Sequence, residues 1–265
     1  MKRPEKKKPR QYPRKRKPLP QENGKPERLN RILSSAGVTS RRNADQLIAS
    51  GSVTVNGKLV KEFGTAATWG VDDIRVDGQQ IPSPSERLYL ILNKPFGYIC
   101  SLRDPQGRPL ITDLLKNLGR RVYPVGRLDF DTMGLLLLTN DGEWAHRLTH
   151  PRYQVPRTYK VTVAGRITDP AIADLRKGVL LSDGPSGPAK TALVARNENK
   201  SIIRITITQG RSRQVRRMIE AAGFRAVHLI RIAFGNIELG KLKVGAYRHL
   251  DTEEVISTKK LVGMI

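Results

Sequence analysis

The chain has 265 residues, enough for one large domain or two smaller ones, each with a hydrophobic core. Its 48 Lys and Arg outnumber its 24 Asp and Glu, so the formal charge is +24 and a nucleic acid is the expected partner. An anionic membrane surface is the competing partner, but no apolar run approaches the roughly 20 residues of a span. The single cysteine, Cys100, excludes an intramolecular disulfide and a metal site made of several thiolates.

The first 26 residues form a basic segment that we expect to be disordered. They contain eleven Lys or Arg, two Glu and six Pro, a net charge of +9, and almost no aliphatic residues that could be buried. The segment is either an RNA-contacting arm that binds phosphates or a solubilising tail, and the arm is favoured. No apolar stretch follows its charges as in a secretory signal, so the expected location is cytoplasmic.

Residues 27–86 have the pattern of a small domain of two helices and a hairpin. Gly37 ends the first helix, Ser40 can cap the second, and Gly51 ends it. Residues 53–55 alternate apolar and polar side chains up to Asn56-Gly57, a strong hairpin signal. The helices are predicted because apolar residues recur three and four positions apart, at Leu29, Ile32, Leu33, Ala44, Leu47 and Ile48.

This helix–helix–hairpin pattern resembles an S4 RNA-binding domain. Arg41 and Arg42 lie in the first turn of the second helix, where a cation opposes the helix dipole. A cost at this place favours another use, and the resemblance implies contact with RNA phosphates. The alternative is a pair of solvated arginines.

Residues 81–86 have the composition of a linker, and residues 87–265 are expected to form a second domain. Strand patterns predominate over helical ones and few tight βαβ repeats occur, so the second domain is predicted to be α+β with a mixed, mostly antiparallel sheet. The predicted strands include 88–92, 159–163 and 202–208, and the predicted helices include 169–177 and 213–222.

Residues 126–142, GRLDFDTMGLLLLTNDG, combine a carboxylate in a turn with a short apolar run that predicts a buried strand. Asp129 is therefore expected at the mouth of a core element, where a carboxylate can be held rigidly and partly desolvated. Most turn aspartates only accept local backbone hydrogen bonds. The segment as a whole, however, resembles the motif of the RsuA/RluB/E/F family of pseudouridine synthases, and the resemblance implies that Asp129 is catalytic.

The implied reaction breaks the N1–C1′ bond of a uridine, turns the uracil and rejoins it through C5. No atom is gained or lost overall, so no cofactor is expected, and the sequence has no dinucleotide-binding, Walker or H-E-x-x-H motif. His146 and His150 are four residues apart, but a surface or capping role is favoured over metal binding. The carboxylate acts either as a nucleophile or as a proton acceptor, and the sequence leaves both open.

A partner cation is expected, since burial alone would favour a neutral Asp129. Residues 210–218, GRSRQVRRM, resemble the family segment whose basic residue after Q-V pairs with the catalytic aspartate, and that residue is Arg216. The alternative is a generic RNA-facing helix surface. Arg211, Arg213 and Arg217 are interpreted as phosphate contacts, although related enzymes often carry His at the position of Arg213.

Two further segments complete the site that the resemblance implies. Residues 157–161, RTYKV, resemble a strand whose tyrosine, here Tyr159, stacks on the target base and can move its C5 proton; core packing is the alternative. Leu229 is a candidate wall of the uracil pocket. Arg127 is a candidate for the target's phosphate. Lys94, in L-N-K-P, is grouped with these substrate-side residues as a support of the cleft.

Smaller motifs narrow the resemblance to the family members that act on large-subunit (23S) ribosomal RNA. They are DPQGRP at 104–109, DGP at 183–185 with Lys190-Thr191, and R-x-R at 211–213. The alternatives are an enzyme acting on small-subunit (16S) RNA and a non-catalytic S4-type RNA-binding or ribosome-assembly protein. A monomer that needs neither metal nor membrane is expected.

Overall fold

The computed structural model describes residues 24–82, 86–101 and 104–265. The chain divides into two compact units, Met1–Glu86 and Arg87–Ile265. The predicted basic tail, up to residue 23, and the middle of the predicted linker, residues 83–85, lie outside the described residues.

The small unit has the predicted order of helices and hairpin. The Ser40 hydroxyl accepts a hydrogen bond from the Asn43 N–H and caps the second helix, and the hairpin turn has positive φ at Asn56 and Gly57. The apolar faces of both helices pack together with Val53 and Ile74. Its elements are β1 (Glu27–Arg28), α1 (Leu29–Ser35), α2 (Arg41–Ala49), β2 (Val53–Val55), β3 (Lys58–Val60), β4 (Ala66–Ala67), β5 (Ile74–Val76) and β6 (Gln79–Gln80).

The large unit is built on one mixed sheet. The strands of the large unit are β7 (Tyr89–Lys94), β8 (Tyr123–Pro124), β9 (Met133–Thr139), β10 (Arg157–Ala164), β11 (Leu180–Leu181), β12 (Gly184–Pro185), β13 (Lys190–Arg196), β14 (Lys200–Ile207), β15 (Ala226–Phe234), β16 (Ile237–Glu238) and β17 (Tyr247–His249). The strand order is β13-β14-β10-β15-β9-β7-β17, with β16 beside β15 and β8 beside β9. In the described chain, β15 and β9 pair in parallel and the other pairs are antiparallel, which confirms the predicted α+β class.

Four helices flank this sheet: α3 (Gly142–Thr149), α4 (Asp169–Lys177), α5 (Gln214–Ala221) and α6 (Thr252–Leu261). Short 3-10 helices span Ile111–Leu118 and Pro151–Tyr153. The second is capped by His150, whose Nδ1 accepts from the Arg152 N–H at 3.2 Å. No helix within the described ranges is both long and apolar enough to cross a membrane.

The run of four leucines lies in β9 at the centre of the sheet. Leu136 and Leu138 pack into the core on one face, with α4 and α5, whereas Leu135 and Leu137 pack into the core on the other, with α3 and α6. Because both faces are covered, the strand is continuously apolar instead of alternating. This strand begins directly after the turn that holds Asp129, so that turn is anchored in the core.

Gly134 explains how β9 and β15 can lie side by side. The two strands meet at the parallel pair Gly134–Arg231, where Gly134 has φ +100° and an added Cβ would collide with the Arg231 backbone. Only glycine meets both requirements without strain. The close approach places Arg231 against the strand that leads out of the turn that holds Asp129.

Candidate active site

Asp129 begins a tight turn at the entrance of β9. The Thr132 N–H donates to the Asp129 carbonyl at 3.1 Å, so Phe130 and Asp131 occupy the corners of the turn. Asp129 and Thr132 face a cavity of about 720 Å³. The preceding Leu128 is buried, and its N–H donates to the Cys100 Sγ at 3.4 Å. Burial raises the pKa of that thiol, which therefore stays neutral beside the turn.

Lys94 holds this turn in place through hydrogen bonds to main-chain carbonyls. Its side chain is fully buried, and its Nζ donates to the carbonyls of Pro95 at 3.0 Å, Asp129 at 3.1 Å and Thr132 at 2.8 Å. Burial lowers the pKa of this lysine, an effect that the nearby Cys100 and Asp129 oppose. Lys94 is not among the residues that line the cavity, so its grouping with the substrate-contacting residues was wrong. Its role as a support of the cleft agrees with the structure.

Tyr159 and Leu229 line the same cavity as Asp129. Tyr159 lies on β10 and Leu229 on the neighbouring β15, and both are buried. The structure therefore brings together three of the residues that the sequence singled out. An aromatic ring and an aliphatic side chain on adjacent strands give the cavity an apolar part, and Asp129 supplies a carboxylate to the same cavity.

Two buried arginines also line this cavity. Arg157 donates to the carbonyls of Thr208 and Leu148, and Arg231 donates through Nε to the Leu135 carbonyl at 2.7 Å. Both guanidinium groups lie 5.0 Å from the centre of the Phe234 ring, within range of a cation–π interaction. Burial lowers the pKa of Arg157. The Nη2 of Arg231 is buried and has no hydrogen-bond partner within the described chain.

Arg216 does not pair with Asp129, and this part of the prediction was wrong. Its Nε lies 3.2 Å from the Asp131 carboxylate, its Nη2 donates to the Asp131 carbonyl and its Nη1 donates to the Ala226 carbonyl. Arg213 donates to both carboxylate oxygens of Asp131 at 3.2 Å. The turn directs Asp131 towards α5 and Asp129 towards the cavity. Two carboxylates separated by one residue were indistinguishable in the sequence.

The remaining arginines of this segment are also engaged by the protein. Arg211 donates to the Asp183 and Gly184 carbonyls, and Arg217 donates to the Asp183 carboxylate at 2.8 Å. That carboxylate has a lowered pKa, mainly because of Arg217. Arg211 and Arg213 line the cavity and Arg217 does not. The predicted helix 213–222 begins one residue later, because Arg213 adopts a left-handed conformation.

Exposed cations occur both at the cavity and in the small unit. Arg127, directly before Leu128-Asp129, is exposed and lines the cavity. In the small unit, Arg41 and Arg42 are exposed in the first turn of α2. The arginines lining the cavity are Arg127, Arg152, Arg157, Arg211, Arg213 and Arg231. Asp129 is the one carboxylate among the lining residues, so the cavity is suited to a polyanion.

Sequence reasoning missed Asp131, Arg157 and Arg231 as members of the site. A signal existed for two of them, because residues two apart on a strand share a face. Arg157 precedes Tyr159 by two residues and Arg231 follows Leu229 by two. No comparable signal exists for Asp131, since its role depends on where α5 packs.

Comparison with known proteins agrees with this geometry. Residues 88–221 match the RNA pseudouridylate synthase family, and residues 27–64 match the S4 domain. The chain is 45% identical over 231 residues to the ribosomal large subunit pseudouridine synthase B of Bacillus subtilis, covering 86% of this chain and 94% of that protein. It is 40% identical over 243 residues to the protein of that name from Escherichia coli O157:H7, covering 89% and 83%.

Among solved structures, a crystal structure of a pseudouridylate synthase superposes with a TM-score of 0.63 at 33% identity and covers 87% of this chain and 99% of that one. A base-modifying RNA enzyme is thus the class that fold and cleft define. The chain belongs to the RNA pseudouridylate synthase family and carries an S4 domain ahead of the catalytic part. The resemblance to the RsuA/RluB/E/F group drawn from the motifs is confirmed.

Proposed function

We propose that this enzyme converts a uridine of large-subunit ribosomal RNA to pseudouridine, with Asp129 as its catalytic carboxylate. The observation that carries the proposal is the position of Asp129 in an arginine-lined cavity that Tyr159 and Leu229 also line. The choice of RNA is supported by the relatives from Bacillus subtilis and Escherichia coli, which are named as large-subunit enzymes.

Asp129 acts on the ribose of a uridine that has left its helix and entered the cavity. The N1–C1′ bond breaks, and the carboxylate either attacks C1′ or accepts the 2′ proton. The uracil then turns and a C5–C1′ bond forms, while the carboxylate–C1′ bond breaks on the first route or the 2′ proton returns to C2′ on the second. The C5 proton leaves, and N1 gains a proton. Atoms and electrons balance, so the reaction requires no oxidant and no co-substrate.

Tyr159 and Leu229 hold the uracil during this rotation. The tyrosine ring stacks on the base and replaces the neighbouring bases on which the uracil stacked within its helix, and its hydroxyl is the group proposed to move the C5 proton. Leu229 bounds the pocket from the neighbouring strand. A smooth apolar wall suits a base that has to turn, because it imposes no fixed hydrogen bond on the intermediate orientation.

Arg216 positions the catalytic turn without touching the reacting atoms. It holds the side chain and the carbonyl of Asp131, two residues beyond Asp129, while Ala226 fixes the direction of its guanidinium. Arg216 and Lys94 therefore both hold this turn in place. Arg127 and Arg213 are exposed near the cavity and are proposed to contact phosphates.

The two units divide the work. The S4-like part, 27–86, binds RNA through Arg41 and Arg42, and the catalytic domain, 87–265, performs the isomerisation. The basic tail, residues 1–26, adds an auxiliary arm. We place the enzyme in the cytoplasm as a monomer that acts on ribosomal RNA.

The test is to incubate the purified full chain with unmodified large- and small-subunit ribosomal RNA and to map pseudouridine by chemical labelling and primer extension. One labelled position in large-subunit RNA is expected. Asp129→Asn keeps the shape of the side chain and removes the carboxylate, and it should abolish labelling. Asp174→Asn, an exposed position on α4, is the matched control and should label as the wild type does.

Each contrary outcome has a defined meaning. Labelling only in small-subunit RNA would reject the proposed substrate and keep the reaction. Labelling in neither RNA would reject the assignment to ribosomal RNA. Full activity of Asp129→Asn would remove Asp129 from the chemistry.

A further inference from the structure

Phe96 and Phe130 form an exposed aromatic pair on the large unit. Their ring centroids are 6.0 Å apart with planes at 57°, and 58% and 42% of the two residues are accessible to solvent. The two other phenylalanines of the unit, Phe224 and Phe234, are packed against the core instead. Two adjoining phenylalanines that leave about half of their surface in water gain less from folding than buried ones do, so folding alone does not account for them.

The pair is part of the scaffold that holds Asp129. Phe130 follows Asp129 directly and occupies a corner of the turn, outside the residues that line the cavity. Phe96 lies on the loop after β7, and the Gly97 N–H donates to the Phe130 carbonyl at 2.9 Å. Lys94 ties the same loop to the same turn through Pro95 and Asp129. The backbone that carries the two rings is therefore tied to the turn that carries Asp129.

The side chains around the Phe96–Phe130 pair favour a nucleobase as the group that binds to it. Phe130 directly follows Asp129, and consecutive Cα atoms are about 3.8 Å apart, so the ring is carried by the same turn as the carboxylate. Asp131, the other corner of the turn, binds Arg213, whose side chain is 47% exposed and can meet a phosphate. Aromatic side chains beside cations are the usual elements of a single-stranded RNA site, since every base has a face to stack.

Base flipping explains why the enzyme needs a second stacking site. When a uridine leaves its helix, the neighbouring base loses a stacking partner, and an aromatic side chain can replace it. We propose that Phe96 and Phe130 form a platform on which the base adjacent to the target uridine stacks. This inference rests on the proposed function and adds a contact outside the catalytic cavity.

The experiment uses three short RNA hairpins that carry the uridine mapped in large-subunit RNA. One is intact, one has an abasic residue 5′ of the uridine and one has an abasic residue 3′ of it. Single-turnover kcat/KM is measured for wild type, Phe130→Leu, Phe96→Leu and Phe130→Trp. Leu261→Ala, on α6 with 40% exposure, is the matched control for loss of an exposed apolar side chain. Thermal unfolding verifies that each variant is folded.

Phe130→Leu should lower kcat/KM on the intact hairpin about 10-fold, as expected when one base–aromatic stack is removed. On one of the two abasic hairpins the same variant should differ little from wild type, because the partner base is already missing. Phe96→Leu should follow the same pattern with a smaller effect, Phe130→Trp should restore activity, and Leu261→Ala should match wild type.

An equal loss on all three hairpins, or no loss on the intact one, would overturn the platform. A loss seen only on ribosomal particles and absent on naked RNA would indicate a docking site for protein and also overturn it. If wild type modifies no RNA, the proposed function fails by itself. Equilibrium binding of the same variants to unmodified large-subunit ribosomal RNA, which needs no mapped uridine, then decides about the platform: a loss of affinity in Phe130→Leu that Phe130→Trp restores supports it, and unchanged affinity overturns it.

Discussion

The cations of the two units are used in different ways. In the small unit, Arg41 and Arg42 are exposed on the first turn of a helix. In the large unit, Lys94, Arg157 and Arg231 are buried and donate to main-chain carbonyls. Each cation contributes one unit to the same formal charge of +24, yet the exposed ones meet solvent, whereas Arg157 and Arg231 line the cavity and Lys94 holds the turn of Asp129.

The difference shows that net charge overstates the number of cations that meet RNA phosphates directly. A buried guanidinium or ammonium needs hydrogen-bond acceptors, and here backbone carbonyls of loops and strand ends provide them. Such a cation fixes a loop geometry that carbonyls alone could not hold. An arginine on an exposed helix surface, such as Arg41 or Arg42, is open to solvent and accessible to a phosphate.

The largest effect is expected from Lys94→Met. Three carbonyls lose their shared donor, which should lower the free energy of unfolding by about 1–3 kcal/mol. The turn that carries Asp129 loosens, so the single-turnover rate at saturating RNA should fall about 100-fold. Lys177→Met, at an exposed position of α4, should change neither quantity. A Lys94→Met enzyme with the wild-type rate would contradict the supporting role given to buried cations.

Arg231→Lys distinguishes charge from geometry at a buried position. The charge is kept, but the planar fork that reaches the Leu135 carbonyl and lies over Phe234 is removed. We expect kcat/KM to fall about 10-fold and the free energy of unfolding to fall by about 1–2 kcal/mol. Arg225→Lys, exposed at the start of β15, is the matched control. Wild-type kinetics in both variants would show that charge alone suffices at Arg231.

Replacing Arg41 and Arg42 together by Gln tests the exposed class. RNA affinity should weaken several-fold, and the slope of log K against log salt should become shallower by about 1.4–1.8, as expected when two phosphates are no longer neutralised. The rate at saturating RNA should stay unchanged. Arg75→Gln serves as the control, since this arginine of the same unit already pairs with Asp73 at 2.9 Å. An unaltered slope in the double variant would remove Arg41 and Arg42 from the RNA interface.

The smallest effect is expected at the ion pair of Arg248 with Glu254. Arg248 lowers the pKa of Glu254 below its ordinary value of 4.5, so the pair stabilises the fold above about pH 4.5 and this contribution is lost as the pH falls through the lowered pKa. Glu254→Gln should reduce stability by less than about 1 kcal/mol at pH 7. Denaturant unfolding at several pH values should show the difference from wild type shrinking below pH 4.5. A stability difference that grows as the pH falls would show that a group other than Glu254 is responsible for it.

Local patterns predicted the elements that depend on local physics. The leucine run of β9, the Ser40 cap and the Asn56-Gly57 turn all follow from neighbouring residues, and all three are present. The resemblance of the segments around Asp129 and Tyr159 to the family motifs implied that both residues belong to one site, and both line the same cavity.

Such local patterns could not predict which carboxylate pairs with Arg216. Its partner is decided by the direction in which a four-residue turn presents two carboxylates, and by the neighbouring carbonyl of Ala226. The adjacency of β9 and β15 was equally hidden, because those strands are far apart in sequence and pair in parallel. The burial of Arg231 and its contact with Leu135 depend on that pairing.

The left-handed conformation of Arg213 has a consequence for the stability of the enzyme. A non-glycine residue at φ 49° costs about 1 kcal/mol, and glycine at this position would relieve the cost. Glycine would also lack the guanidinium that binds Asp131 at the rim of the cavity. Arg213→Gly is therefore expected to relieve the backbone cost and to lose the contact with Asp131 in the same step, so the two effects on stability oppose each other.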